Sequence, residues 1–401
     1  MEGSVMHTSD TQVAARQVQY VHMPPQEPQE PSQNVSIPHI IPPAQSPLSP
    51  PLLAAGLVAV LAVGALTYWF VLDGNGFTAR AEPVRIGIVE FEQQTDAFIG
   101  FKEQMTKLGY AEGKDVVYER SRVVPGPTMF DDMKVAIHRM LDEKVDLLWL
   151  SLELQAKVGV AVTKERNDTT PIVFSSRFHD PIEYGLAASY RSSGNNATGV
   201  TSDLFEIIQK YFEFFKEIDP NIKKIGVFTD GFMVPPIGDR YLQELKTQAP
   251  RFGYEIVEYT TAVPPPEAEA EFNRVAQTIK KGDIDALFHI AGHHYERQER
   301  GESELAIKLG IPFAVPYEDI PHGGQFSYSD NFTASGAQSA FMVDKILKGT
   351  NPSDIPIEYG AKTELWLVMH RARAAGITFP ESMRFKAARI FESDAEIPPL
   401  Y

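Results

Sequence analysis

Acidic, hydroxyl and aromatic side chains follow several of the short apolar runs in this sequence. They are Glu90, Phe91, Ser151, Glu153, Ser176, Asp180, Thr229, Asp230, Tyr317 and Glu318. Such groups suit a small polar ligand with an ammonium group, because carboxylates bind cations while hydroxyls and helix N-termini bind a carboxylate. A helix cap or a solvated loop side chain is the alternative for each, and Phe91 and Tyr317 could instead be aromatic residues of a lobe core. Asp180, followed by Pro181, has the pattern of a helix start.

Common catalytic motifs of α/β enzymes are missing. The first predicted strand is followed by FEQQTD rather than a Gly-rich phosphate loop, and no G-x-S-x-G motif occurs. The absence of cysteine excludes disulfides, thiolate metal sites and cysteine nucleophiles. His289, His293, His294 and Glu296 could place two metal ligands on one helix face, but they lack a metalloprotease motif. We interpret them as surface or cleft side chains, and we expect no catalysis, cofactor or metal.

Composition predicts a protein with a large core and excludes nucleic acid as an obvious partner. Hydrophobic residues make up 43% of the 401 positions, enough for ordinary globular domains. Acidic residues outnumber basic ones 53 to 37, for a net charge of -16. A chain of this charge is poorly suited to neutralising phosphates.

The N-terminal region predicts a tail followed by a membrane anchor. Residues 1–51 carry ten prolines and five charges, which favours a flexible tail over packed structure. Residues 52–72 are uncharged, and as a helix they would span about 31 Å, enough to cross a bilayer. A buried globular helix is the alternative. Residues 79–81 resemble a signal-peptidase site, but the long preceding region favours an uncleaved anchor joined by a linker at 73–83.

Strands and helices alternate after the linker, which predicts parallel sheets covered by helices. The pattern predicts strands at 84–90, 116–119, 145–150 and 171–174, then at 224–228, 255–259, 286–290, 312–315 and 324–328. A turn-rich segment at 191–199 separates the two series, and helices are predicted at 331–347 and 363–375. We expect one lobe from 84–200 with 324–350, a second from 201–323 with 351–392, and a tail at 393–401.

Several motifs in this order resemble the solute-binding proteins of ABC transporters, in the family that includes tryptophan-type binders. They are GYAEGKDV at 109–116, TPIVF at 170–174, GNNATGV at 194–200, SYSD at 327–330, KILKG at 345–349, NPSDIP at 351–356 and AGITFP at 375–380. The resemblance covers roughly residues 84–392. It implies a type I periplasmic-binding-protein fold, with a ligand held in a gap between two hinged α/β lobes. Its cleft loops fall on residues 90–91, 151–153, 176–180, 229–230 and 317–318, which include the ten residues named above.

Together with the apolar segment at 52–72, the resemblance implies an anchored extracytoplasmic protein that captures a small amino-acid-like or other polar molecule for the permease of an ABC importer. Arg80 and Arg85 follow the apolar segment and favour a cytoplasmic domain, but two arginines weigh less than the resemblance. One alternative is a sensor or scaffold that keeps the fold without transport and uses the Pro-rich tail. Another is a two-lobed sugar-nucleotide enzyme, against which the missing phosphate loop argues.

Overall fold

The computed structural model describes residues 82–399, apart from 92–94, 125, 231–234, 262, 264 and 291–297. The predicted N-terminal tail at 1–51, the predicted membrane helix at 52–72 and most of the linker lie outside the described residues. In the part of the chain that is described, no helix combines the length and apolar composition needed to cross a membrane.

The strands of the described chain follow one another in the alternating pattern that the sequence predicts. They are β1 Val84–Glu90, β2 Val116–Arg122, β3 Leu147–Leu150, β4 Ile172–Ser176, β5 Ala197–Thr201, β6 Lys224–Asp230, β7 Glu255–Thr261, β8 Ala286–Phe288, β9 Phe313–Ala314, β10 Phe326–Asp330, β11 Glu358–Tyr359, β12 Thr363–Val368 and β13 Arg389–Phe391.

Helices connect most of these strands. They are α1 Asp96–Lys107, α2 Met129–Asp142, α3 Glu153–Arg166, α4 Leu204–Ile218, α5 Pro235–Phe252, α6 Pro265–Thr278, α7 Gln298–Leu309, α8 Phe332–Leu347, α9 Met369–Ala374 and α10 Glu381–Lys386.

The first lobe is a six-stranded parallel sheet with α1, α2, α3 and α8 packed on it. Its strand order is β11-β5-β4-β3-β1-β2. Every residue of β3, β4 and β5 is buried, as expected for a parallel sheet covered on both faces. Helices α1 and α8 touch along their backbones: a Cβ on Gly100 or Gly336 would lie 1.8 Å from the carbonyl oxygen of Thr333 or Ala97. Only glycine permits this approach.

The second lobe is a seven-stranded sheet of order β13-β12-β10-β9-β8-β6-β7, in which β10 and β12 are antiparallel and the other pairs parallel. Helix α4 packs on α5 and β10 with Tyr211, Phe212 and Phe215 fully buried. The Tyr211 hydroxyl donates to the carbonyl of Val315 at 2.8 Å and accepts from the amide of Tyr328 at 2.8 Å. This aromatic helix is therefore both packed and hydrogen-bonded against the sheet.

Within the described residues, the chain passes between the two sheets at three crossings, namely residues 202–203, residue 331 and residues 360–362. The amide of Gly360 donates to the carbonyl of Thr201 at 2.9 Å, and the amide of Asn331 donates to the carbonyl of Lys362 at 2.8 Å. The third crossing is therefore hydrogen-bonded to residues at both of the others. Adjacent crossings of this kind are where a two-lobed protein bends.

The C-terminal strands differ from the predicted division between lobes. Strand β10 pairs in the second sheet, although 324–350 was expected in the first lobe. Strand β11 pairs with β5 in the first sheet, although 351–392 was expected in the second lobe. The crossings lie after β10 and β11, and sequence pattern alone does not indicate which sheet a strand joins.

Two local predictions were also wrong. The helix predicted at 363–375 is strand β12 followed by the short helix α9, because Leu365, Trp366 and Leu367 are buried in pairings with β10 and β13. Part of the segment predicted as turn-rich is the buried strand β5. Its Gly199 packs so closely on β4 that a Cβ would lie 2.3 Å from the carbonyl oxygen of Phe174. Glycine was interpreted as a turn signal, but at this position it allows two strands to pack closely.

Candidate functional site

The structure places the predicted site residues at the carboxyl ends of strands, as the strand pattern predicts. Glu90 and Ser176 are the last residues of β1 and β4, and Ser151 directly follows β3. Thr229 and Asp230 end β6 in the second lobe. The side chains of Asp230 and Glu318 lie outside the described part of the structure.

Glu90 is buried at the edge of the first lobe and pairs there with an arginine of β2. The Arg120 Nε donates to Glu90 Oε1 at 2.7 Å, and the Arg120 guanidinium also lies over the Phe98 ring, 4.8 Å from its centroid. Phe91 is partly buried against the core. The Glu90 carboxylate thus has an ion pair within its own lobe.

Glu153 holds the loop that follows β4. This fully buried carboxylate is the first residue of α3, and it accepts from the amides of Arg177 at 3.0 Å and Phe178 at 3.1 Å. Its Oε1 also lies 2.9 Å from His179 Nδ1, while the Ser176 hydroxyl donates to the carbonyl of His179 at 2.5 Å. These bonds fix where Arg177 and Phe178 lie.

Asp180 caps a turn rather than a helix. Its Oδ1 accepts from the amides of Ile182 at 2.8 Å and Glu183 at 2.9 Å, and its Oδ2 accepts from the Tyr190 hydroxyl. The following residues form turns and not a regular helix. The capping alternative therefore describes the local bonding of this residue, with a turn in place of the helix.

Thr229 and Tyr317 contact residues of the second lobe. The Thr229 hydroxyl lies 3.1 Å from that of Thr260 and donates to Glu258 Oε1 at 3.2 Å, both on the neighbouring strand β7. The Tyr317 ring packs edge-on against Trp366, with 4.7 Å between centroids. For these residues, as for the carboxylates above, a role in ligand binding stays a prediction.

A small cavity lies between the two lobes, near the first and second crossings, and we call it the interlobe cavity. The first lobe contributes Arg177, Phe178 and Phe332, the second contributes Leu204, Ile207, Tyr241, Pro316, Ser329 and Asp330, and Ser202 belongs to the first crossing. Its volume is about 20 Å³, enough for a water molecule. The facing loops leave less room than the expected gap for a small ligand, so a ligand can enter only if the lobes separate.

Opposite charges face this cavity. The Arg177 guanidinium stacks on the Phe332 ring at 3.7 Å from its centroid. Asp330 is only 3% exposed, and burial raises the pKa of its carboxyl to about 6, although the Ser202 hydroxyl and the Arg177 charge act in the opposite direction. In the part of the chain that is described, Arg177 Nε and Asp330 Oδ2 are buried without a hydrogen-bond partner.

A second cavity of about 420 Å³ lies between α1, the start of α8 and the C-terminal part of the second lobe. Tyr317, the one predicted site residue that lines a cavity described here, lies in its wall. The Tyr317 ring contacts Phe332 of the interlobe cavity at 5.6 Å. Two of the lining cations are already engaged, since Lys362 pairs with Glu364 and Arg389 lies over Trp366.

The histidines considered as metal ligands are only partly described. His289 is buried, with Nδ1 2.5 Å from Glu302 Oε2 and Nε2 3.7 Å from Asp319 Oδ2. His293, His294 and Glu296 lie outside the described residues. Within the described residues no cluster of three or more His, Asp or Glu side chains could hold a metal ion.

Comparison with protein families identifies the class of this chain. A family model described as ABC transporter substrate binding protein matches residues 85–391. The chain belongs to this family. Members of the family bind small molecules and the permeases of ABC transporters, and they form a non-enzymatic class of binding proteins.

Solved structures share the fold of this ABC transporter substrate-binding protein. A conserved domain protein from Vibrio cholerae is 21% identical with a TM-score of 0.63, and an ABC domain from Streptococcus pneumonia in complex with L-Trp is 18% identical with a TM-score of 0.63. A ligand-free, open substrate binding protein with adhesive properties from Clostridium difficile is 20% identical with a TM-score of 0.60. Each match covers 77% of this chain and 100% of the other. A comparison with curated protein sequences found no match.

The interlobe cavity of this substrate-binding protein is lined by none of the ten predicted residues. Arg177 and Phe178 lie within the predicted cleft loop at 176–180, which Glu153 holds. Asp330 ends strand β10, so the strand-end rule applies to it, but the strand was predicted two residues early, at 324–328. Tyr241 lies within α5, where only the tertiary fold brings it to the cavity.

Proposed function

We propose that this protein is a membrane-anchored extracytoplasmic solute-binding protein that captures a small amino-acid-like molecule for an ABC importer. The interlobe cavity carries the proposal, because it brings a cation, a buried carboxylate and three aromatic rings together from both lobes. A zwitterion with an apolar side chain matches this lining. The L-Trp bound to a structural neighbour agrees with that class of ligand.

Capture requires the lobes to separate, because a cavity of about 20 Å³ is far smaller than an amino acid. The three crossings supply the bending points. A ligand that binds between the lobes would stabilise their closed arrangement over the open one, as in other hinged binding proteins.

Thermal unfolding of the full chain in detergent, with each of the twenty L-amino acids, tests the proposal. A ligand present at a hundred times its Kd should add about 2.7 kcal/mol to the free energy of unfolding. The variants Glu90→Ala, Asp180→Ala and Asp230→Ala test the cleft residues predicted from the sequence, and weaker binding in any of them would mean that the ligand reaches these strand ends as well as the interlobe cavity. Asp131→Ala, at an exposed position of α2, is the matched control. Unchanged affinity in all three variants would show that the predicted residues do not bind ligand.

The anchored, extracytoplasmic placement needs a separate experiment. Protease added to intact cells should digest the domain after residue 82 while leaving the segment at 52–72 with the membrane. Complete protection of the domain would refute this placement.

The small size of the interlobe cavity favours one alternative, a sensor or scaffold that keeps the fold without transport. Such a protein would not need to open, and its partner would bind the Pro-rich tail. This alternative would be favoured if no amino acid stabilised the protein against thermal unfolding and the lobes did not open.

A further inference from the structure

Asp330 stands out among the buried acids of the described chain because of where it lies. It is the last residue of β10 and immediately precedes the second crossing. The Ser202 hydroxyl of the first crossing lowers the pKa of its carboxyl by hydrogen bonding, and Gly360 of the third crossing packs against it. A Cβ on Gly360 would lie 3.3 Å from Asp330 Cγ. The carboxyl group therefore touches or faces all three segments that join the lobes.

The charge of this carboxylate is poorly compensated within the protein. No cation of the described chain lies within the 4.0 Å of an ion pair with it, and its Oδ2 is buried without a hydrogen-bond partner there. The charged groups that face it are Arg177 from the loop after β4, and Asp203 and Glu206 at the start of α4. The two acids oppose its ionisation, whereas the Ser202 hydroxyl and the Arg177 charge favour it. A buried carboxylate in this position lacks a positive partner.

Arg177 provides the opposite charge on the other side of the interlobe cavity. Its guanidinium is held by stacking on Phe332, its backbone amide is held by Glu153, and its Nε is buried without a hydrogen-bond partner in the described residues. A guanidinium fixed by stacking presents its remaining donors in a rigid plane, which suits a carboxylate. The interlobe cavity thus has an anion-binding group on the first lobe and a cation-binding group on the second.

We propose that Asp330 binds the ammonium group of the ligand and that Arg177 binds its carboxylate. The inference rests on the proposed function and specifies its substrate class: a zwitterion in which both charges are needed. Phe178, Phe332 and Tyr241 would contact the ligand's apolar side chain. Because Asp330 lies at the crossings, its ion pair with the ligand forms where the lobes bend and stabilises their closed arrangement.

Protonation of Asp330 would remove the partner of the ammonium group, so ligand binding should depend on pH. With a carboxyl pKa of about 6 in the free protein, the affinity should fall about tenfold between pH 7 and pH 5. The fall should be absent for a ligand analogue without an ammonium group.

Isothermal titration tests this with three probes: the L-amino acid that stabilises the protein most, the amine that lacks its carboxylate, and the carboxylic acid that lacks its amino group. We expect both analogues to bind at least about tenfold more weakly than the amino acid. Asp330→Asn should lower the affinity for the amino acid and for the amine by about 10- to 100-fold at pH 7.5. It should also remove the pH dependence of amino-acid binding and leave the affinity for the acid analogue unaffected. Arg177→Gln should lower the affinity for the amino acid and for the acid analogue, and leave the affinity for the amine unaffected.

The control is Asp354→Asn, which removes the same charge at an exposed position that does not line the cavity. It should leave the affinity within about twofold. An unchanged pH dependence in Asp330→Asn, or equal loss for all three probes, would overturn the role of Asp330. Failure of every amino acid to bind the unmodified protein would instead refute the proposed function, and with it this inference.

Discussion

Replacing Asp330 with asparagine should stabilise the folded protein at neutral pH and have little effect in acid. Burial raises the pKa of this carboxyl to about 6 from its ordinary value of 3.8. The folded state therefore binds the proton more tightly than the unfolded state does. The stability that this group contributes is fully present below pH 3.8 and is lost as the pH rises through about 6.

The difference between the two pKa values corresponds to about 3 kcal/mol at pH 7.5, which asparagine should recover because it carries no charge. A domain of roughly 300 residues has an unfolding entropy of about 0.65 kcal/mol/K, so the melting temperature should rise by about 5 °C. At pH 4 the two proteins should melt within about 1 °C of each other.

Scanning calorimetry of both proteins without ligand, from pH 4 to pH 8, measures this difference. Asp354→Asn, at an exposed position, is the control and should change the free energy of unfolding by less than about 0.5 kcal/mol at every pH. An equal difference between Asp330→Asn and the unmodified protein at both ends of the range would refute the reasoning, because a packing effect does not titrate.

Three further substitutions test the packing that positions the cavity. Gly336→Ala should lower the melting temperature and destabilise the protein by about 1–3 kcal/mol or more, since the new Cβ meets the Ala97 carbonyl; an unchanged melting temperature would contradict the contact between helices. Ser339→Ala should cost about 1–3 kcal/mol in urea unfolding by leaving the buried Trp149 indole N–H without its 2.9 Å bond, and a neutral result would show another acceptor. Glu153→Gln should speed hydrogen exchange in the loop after β4; unaltered exchange would mean that other bonds hold this loop.

The sequence predicts the two-sheet α/β architecture because that architecture depends on local pattern. Apolar runs such as Val84–Glu90 become buried parallel strands, and amphipathic segments such as Leu204–Ile218 become helices at the predicted bounds. Errors concentrate where long-range contacts decide. The segment Thr363–Val368 is a strand because β10 and β13 pair with it, and Ala197–Thr201 is a strand because Gly199 fits against β4.

Residue pattern and resemblance point to a loop of the candidate site but not to its individual side chains. The predicted cleft loop at 176–180 includes Arg177 and Phe178, which line the interlobe cavity, whereas none of the ten residues singled out lines it. A carboxylate at a strand end can bind a ligand or support its own loop, however, and Glu153 does the second. Only the positions of neighbouring groups separate these roles, and they depend on the tertiary fold.

The neighbouring groups also distinguish Asp330 from the other buried acids as the one expected to bind ligand. Glu153 and Glu90 are buried as deeply, but backbone amides or an arginine compensate their charge, so their burial is consistent with a structural role. Asp330 faces two other acids and one arginine, in a cavity about the size of a water molecule. A carboxylate that destabilises its own fold at neutral pH, placed where the lobes bend, is better explained by a cation that arrives from outside.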